Sequence, residues 1–193
     1  MFSFMKIATF AALAFGTLAS AIPAPAPLPV AEAGALVPRA AEAQDVTTIL
    51  TDLNNNLKAP TTELSGLTAD NATPDNVNVI VLKIKVLIEA ATEACGGASG
   101  LGSGNILLLL SISINLVISA CNTCYSVCTD KAGVLVVIKI LDSVLAALLT
   151  IVLKLVGGLL VTVIGLLVGL LGGVVEIILS LNFTACAKVL LLL

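Results

Sequence analysis

Between residues 45 and 95 the apolar positions recur with the spacing of a helix. Val46, Ile49, Leu50, Leu53 and Leu57 fall at i, i+3, i+4, i+7 and i+11, one face of an α-helix. Asp45 is placed to cap that helix and Pro60 to stop it. A second helix is predicted from Thr73-Pro74, a capping residue followed by proline in the first helical position. Its apolar line runs Val77, Ile80, Val81, Ile84, Leu87, Ile88, Ala91 and Cys95, and Gly96-Gly97 ends it. The segment VLKIKVLI also alternates with period two, which leaves a strand as an alternative; length and the two end signals favour helix. Together the two segments predict an amphipathic helical hairpin with one sticky face.

The pattern changes at residue 96. GGASGLGSG over 96–104 predicts a flexible glycine–serine joint. Three apolar stretches follow: Asn105 to Thr129, Val134 to Val156 and Leu155 to Val175, with DKAG at 130–133 predicting a turn between the first two. Each is long enough to cross ~30 Å of hydrocarbon as a helix. Gly165, Gly169 and Gly173 share one helix line, a spacing that lets helices approach closely, and Ser111, Asn115 and Ser119 share another. Against spanning stand Lys139 and Asp142 inside the second stretch, the near absence of interfacial aromatics (no Trp, one Tyr), and the lack of a polar loop between stretches two and three. A tight bundle buried by self-association accommodates the same features, and both arrangements remain open at this level.

Composition sharpens the contrast. Apolar residues are 59% of the 193 and charged residues 11%, against roughly 45–50% and 25% in ordinary globular chains. Residues 22–95 carry thirteen charges and a net −5; residues 96–193 carry seven and a net +1. A polar, acidic half (45–95) thus precedes a very apolar half (105–193). At the N-terminus, residues 1–21 have the form of a signal peptide: Lys6, an apolar run from Ile7 to Leu18, and the small residues Ala19-Ser20-Ala21 at the cleavage position. The segment IPAPAPLPVAEAGALVPRAAEA within 22–44 alternates proline with small residues, favours extended chain, and is a linker or pro-segment. Arg39 inside it is either a monobasic processing site or a lone solvated charge.

Candidate chemistry is sparse. With no histidine, the commonest proton-transfer group and metal ligand is missing, and no nucleophile–base pair or carboxylate dyad stands out, so an enzyme is not expected. Without a basic patch or stacking aromatics, nucleic-acid binding is not expected either. The five cysteines are Cys95, Cys121, Cys124, Cys128 and Cys186. Three of them share a helix face, but with no histidine and no partner CxxC the spacing does not call for metal. In an exported chain they are disulfide candidates, with bridges from the central cluster to Cys95 and Cys186 able to staple the two halves. Asn71-Ala72-Thr73 and Asn182-Phe183-Thr184 are candidate N-glycosylation sequons.

The DVTTILTDLNNNLKAPTTELSGLTADNATPDNV stretch, the LLVTVIGLLVGLLGGVV run and the overall layout resemble small secreted, wall-associated proteins of mushroom-forming fungi that support aerial hyphae and attachment independently of hydrophobins. The chain does not resemble a hydrophobin, whose cysteines include adjacent pairs; none of the five here adjoins another. The expectation is an all-α protein, a helical hairpin joined to a bundle of long apolar helices, without cofactor. The resemblance implies secretion or a cell-wall location, with function by self-association, adsorption to apolar surface or lipid, and contact with wall polymers. A multi-pass membrane protein with a lumenal N-terminal hairpin and a secreted lipid-binding bundle are the alternatives.

Overall fold

The computed structural model describes residues 44–157 and 161–191. The signal peptide, the Pro/Ala segment through residue 43 and Arg39 lie outside the described residues. The described chain is all-helical: α1 Val46–Ser65, α2 Pro74–Gly96, α3 Ile106–Val127, α4 Lys131–Ile138, α5 Ile140–Leu155, α6 Val161–Leu171, α7 Val174–Ser180 and α8 Thr184–Val189. The hairpin and the apolar bundle are both present. They do not form separate bodies, because one core is built from both halves, running from Val46 and Leu50 through Ile84 and Ile118 to Leu145 and Phe183. α1 packs on α2 and α3, α2 on α4 and α5, α5 on α8, and α3 on α6 and α7.

The predicted caps form. Asp45 accepts from the Thr48 N–H at 2.8 Å, and Thr73 accepts from the Asn76 N–H. α1 does not stop at Pro60, however; it runs on to Ser65. Proline cannot donate to the Asn56 carbonyl, so one ladder bond is missing; Thr61 Oγ1 donates to the Leu57 carbonyl and Thr62 Oγ1 to the Lys58 carbonyl, adding side-chain bonds to the turn around the break. Pro60, Thr61 and Leu64 are buried, and their packing carries the helix past the proline.

α2 is a helix rather than a strand. Its period-two component still has a consequence: winding VLKIKVLI at 100° per residue sends part of the apolar set outward, and Leu82 and Val86 are left exposed, as is Val79 just before the segment. The 130–133 segment is not a free turn either. Asp130 accepts from the Gly133 N–H at 2.9 Å, which makes Lys131–Gly133 the first turn of α4.

The glycine–serine joint is tied down rather than loose. The first amides of α1 have no partner within the helix. Here Val46 N–H donates to the Gly100 carbonyl (2.9 Å), Thr47 N–H to the Leu101 carbonyl (3.2 Å), and Thr48 N–H to the Asp45 carboxylate, while Ile49 N–H makes the first helical bond, to the Asp45 carbonyl. Thr47 Oγ1 donates to the Leu101 carbonyl and accepts from Gly104 N–H. The joint is the N-terminal cap of α1, and it sets α1 and α3 off side by side in the same direction.

The third apolar stretch is not one rod. α6 and α7 are bent by 91° at Gly172-Gly173, with Gly172 at φ +51°. The second stretch is also interrupted, between α4 and α5 at Lys139.

Candidate interaction surface

With the core filled, apolar side chains remain outside. On α2, Val79 (56% exposed), Leu82 and Val86 (62%) line a groove against Ala59 and Pro60 of α1, with a volume of about 640 Å³. They share one helix face at i, i+3 and i+7. The rim carries the Lys83–Glu63 pair at 3.0 Å, bridging α1 and α2. A second ion pair, Lys85–Glu89 at 2.7 Å, lies along α2. The most evident apolar groove therefore lies on the hairpin that the charge count marks as the polar half. Leu166 and Leu170 on α6, Val136 on α4, and Leu108 and Ile112 on α3 are exposed as well.

Among the described residues, Gly165, Gly169 and Gly173 form no close helix–helix contact. A Cβ placed on each meets nothing within 4 Å, and all three are exposed. They lie alongside Leu166 and Leu170 on the outer face of the bent α6–α7 pair. Of the serine–asparagine line, Ser111 is buried and donates to the Leu108 carbonyl, while Asn115 and Ser119 line a shallow groove of about 510 Å³ between α1 and α3 with Thr62, Ser65 and Thr123.

Two buried polar groups were not evident from the pattern. Asn54 donates through Nδ2 to the Leu109 carbonyl (3.0 Å) and accepts through Oδ1 from Ser113 Oγ (2.7 Å), joining α1 to α3. Its place on the apolar line, four residues after Leu50 and three before Leu57, was the available signal. Asp142 on α5 accepts the Ala185 N–H (2.9 Å) and the Cys186 N–H (2.8 Å), and so caps the N-terminus of α8. No local spacing announces a cap supplied from more than forty residues away.

No family model, curated protein or solved structure matches this chain.

The five disulfide candidates stand in the structure as free thiols, and all five are buried. Cys186 Sγ donates to the Asp142 carbonyl and Cys128 Sγ to that of Tyr125. Cys121 and Cys124 lie three residues apart on α3, and both are buried in the core. Among the described residues no group of three metal-ligating side chains converges. Burial raises the Cys95 thiol to about 11; burial and then the neighbouring Cys128 raise Cys124 to about 11. Cys121 and Cys186 are pushed up further, in both cases chiefly by burial, with Asp142 adding to the effect at Cys186.

Two outcomes follow. Alkylation of the native protein at pH 8 is expected to leave the five thiols unmodified, since thiolate is the reactive form, and alkylation after denaturation without reductant is expected to label all five. Fewer than five labels would reveal a disulfide and overturn the free-thiol description. The sign of the pH effect also follows: a thiol with a raised folded pKa holds its proton when the unfolded chain has lost it. Stability is then fully present below about pH 9 and falls as pH rises from there through 11, by up to ~1.4 kcal/mol per thiol per pH unit. A chemical-denaturation series between pH 8 and 11 measures it.

Proposed function

We propose that this is an exported amphiphilic structural or adhesion protein of a fungal cell surface, acting by adsorption to apolar interfaces or by self-association. The observation that carries the reading is the set of aliphatic side chains left outside a filled core, above all Val79, Leu82 and Val86 beside the Lys83–Glu63 pair. The signal-peptide pattern and the resemblance to wall-associated fungal proteins support it. A division of labour between a wetted half and an apolar half does not, because the two halves share one core. Amphiphilicity lies instead in rows on the surface of the folded unit. Three half-exposed aliphatic side chains offer on the order of 200 Å², or about 5 kcal/mol before binding costs at ~25 cal/mol per Å².

A membrane protein is the second reading, and a specific observation favours it. Two helical segments, Ile106–Val127 and Lys131–Leu155, are long and apolar enough to cross a membrane, and a third counts if the bent α6–α7 pair is one span. The packing weighs the other way. α1 lies along α3 and turns Asp52, Asn55, Lys58 and Glu63 outward. Placing α3 in hydrocarbon without opening the bundle takes those groups with it, at several kcal/mol in sum.

Fractionation of the producing cells into medium, wall and membrane, with a high-pH carbonate wash of the membranes, separates the two. Recovery from medium or wall is expected; retention in washed membranes sinks the surface reading. For the mechanism, the triple substitution Val79→Ser, Leu82→Ser and Val86→Ser touches no core residue. It is expected to weaken adsorption of the purified protein to an alkane–water interface by about tenfold or more, with its helical circular dichroism unchanged. Equal adsorption by the variant would locate the active surface elsewhere.

A further inference from the structure

The two sequons differ in what the fold does with them. In Asn71-Ala72-Thr73 both polar side chains have structural work. Asn71 Oδ1 accepts from the Thr68 N–H at 2.6 Å and closes the turn between α1 and α2, while Thr73 Oγ1 caps α2 by accepting from the Asn76 N–H. Asn76 Nδ2 donates to the Asn71 carbonyl, and Pro74 follows at once. These contacts span three to five residues, and contacts that local form within microseconds of the chain emerging. The sequon is folded into its own cap.

In Asn182-Phe183-Thr184 the fold uses much less. Asn182 sits at φ +57° in the tight turn between α7 and α8. This is a left-handed position that asparagine tolerates better than other residues with a side chain. That accounts for its backbone and leaves its side-chain carboxamide with no hydrogen-bond partner among the described residues, on an exposed residue. Thr184 is the first residue of α8, one past its N-cap Phe183, whose side chain has no hydroxyl to cap with. Here that task is done from α5, since Asp142 takes the Ala185 and Cys186 amides. Thr184 is exposed, and its hydroxyl has no hydrogen bond among the described residues. Between the two, Phe183 is buried and anchors the turn, so the two flanking side chains are held outward.

We propose that Asn182 is the N-glycosylated residue of this chain, that Asn71 is not, and that the α7–α8 turn is therefore presented to the lumen and then to the exterior. The inference rests on the exported reading above. In the step, Asn182 Nδ2 bonds to the anomeric carbon of a lipid-linked oligosaccharide. The bond from that carbon to the pyrophosphate oxygen breaks, the lipid pyrophosphate leaves, and Nδ2 loses one proton. Thr184 Oγ1 supplies the hydroxyl that the transferase requires of the sequon. The sugar would stand beside Leu179, whose carbonyl accepts the Asn182 N–H and whose side chain is exposed. It would keep that end of the bundle wetted while the α1–α2 groove stays free for apolar contact.

The test is peptide mapping of the full chain after enzymatic glycan release in heavy-oxygen water, which converts a glycosylated asparagine to labelled aspartate. Label is expected at Asn182 and absent at Asn71. Asn182→Gly keeps the left-handed backbone and is expected to abolish the mass shift; Thr184→Ala is expected to abolish it too, and Thr184→Ser to retain it. Asn71→Gln is expected to leave the mass of the glycan unchanged. Exported protein with a bare Asn182, or with label at Asn71, overturns the inference and leaves the surface reading standing. Label at Asn182 in protein retained by washed membranes supports the inference and overturns the surface reading. Protein confined to the cytosol overturns both.

Discussion

Replacing Asp142 by alanine is expected to lower the stability of the protein by about 2–4 kcal/mol. The side chain is buried and accepts two backbone amides of α8, those of Ala185 and Cys186. Each buried donor left without a partner costs ~1–3 kcal/mol, and partial relaxation of a six-residue helix at the end of the chain recovers some of it. Asp142→Asn keeps the amide oxygen as an acceptor and is expected to fall between wild type and alanine. Urea denaturation gives the size of the effect. Hydrogen exchange at Ala185 and Cys186 gives its location, since those amides should lose protection before the core of α5 does. An unchanged denaturation midpoint in the alanine variant would mean that α8 is held by packing alone.

The second large effect is expected at Gly102. Its φ is +79°, and a Cβ there would come within 2.6 Å of Asp45 Oδ1 and Thr47 Oγ1. A β-branched side chain in that conformation meets backbone strain of about 1–3 kcal/mol before the clash is counted. Gly102→Val is therefore expected to cost roughly 2–4 kcal/mol, and the damage should appear as faster exchange of the Val46 and Thr47 amides, which the joint satisfies. Gly100 is the control. A Cβ there meets nothing within 4 Å, and Gly100→Ala is expected to stay within ~0.5 kcal/mol of wild type. Equal behaviour of the two variants would return the joint to the status of a flexible tether.

These two residues mark where the sequence stops being legible. The helices of the hairpin were readable because a cap, a period and a stop signal agree within a few residues, as at Asp45 and at Thr73-Pro74. Pro60 misleads because the local rule counts a lost donor and cannot see the burial of Pro60, Thr61 and Leu64. The apolar half was readable as helix and unreadable as architecture. In a run such as LLVTVIGLLVGLLGGVV almost every face is apolar, so periodicity no longer says which side is in, and the bend at Gly172-Gly173 looks like a spacing for close packing. The surface rows are a third case. VLKIKVLI carries two periods at once, and only the fold shows that the one it rejects leaves Leu82 and Val86 outside, on one face with Val79. The cap that Asp142 provides is a long-range contact for which the chain offers no local sign.

Asn54 and Asp142 also bear on why this chain has one structure at all. A core of leucine, valine and isoleucine is nearly degenerate: a helix slid by one turn, or rotated by one residue, presents much the same side chains to much the same neighbours. Dispersion and burial scarcely discriminate between such arrangements. A carboxyl group that must find two particular amides, and a carboxamide that must find one carbonyl and one hydroxyl, discriminate strongly, because every shifted packing leaves them buried and unpaired. One locks α1 to α3 and the other locks α5 to α8, at opposite ends of the sequence. In a protein built mostly of interchangeable oil, two polar side chains set the register.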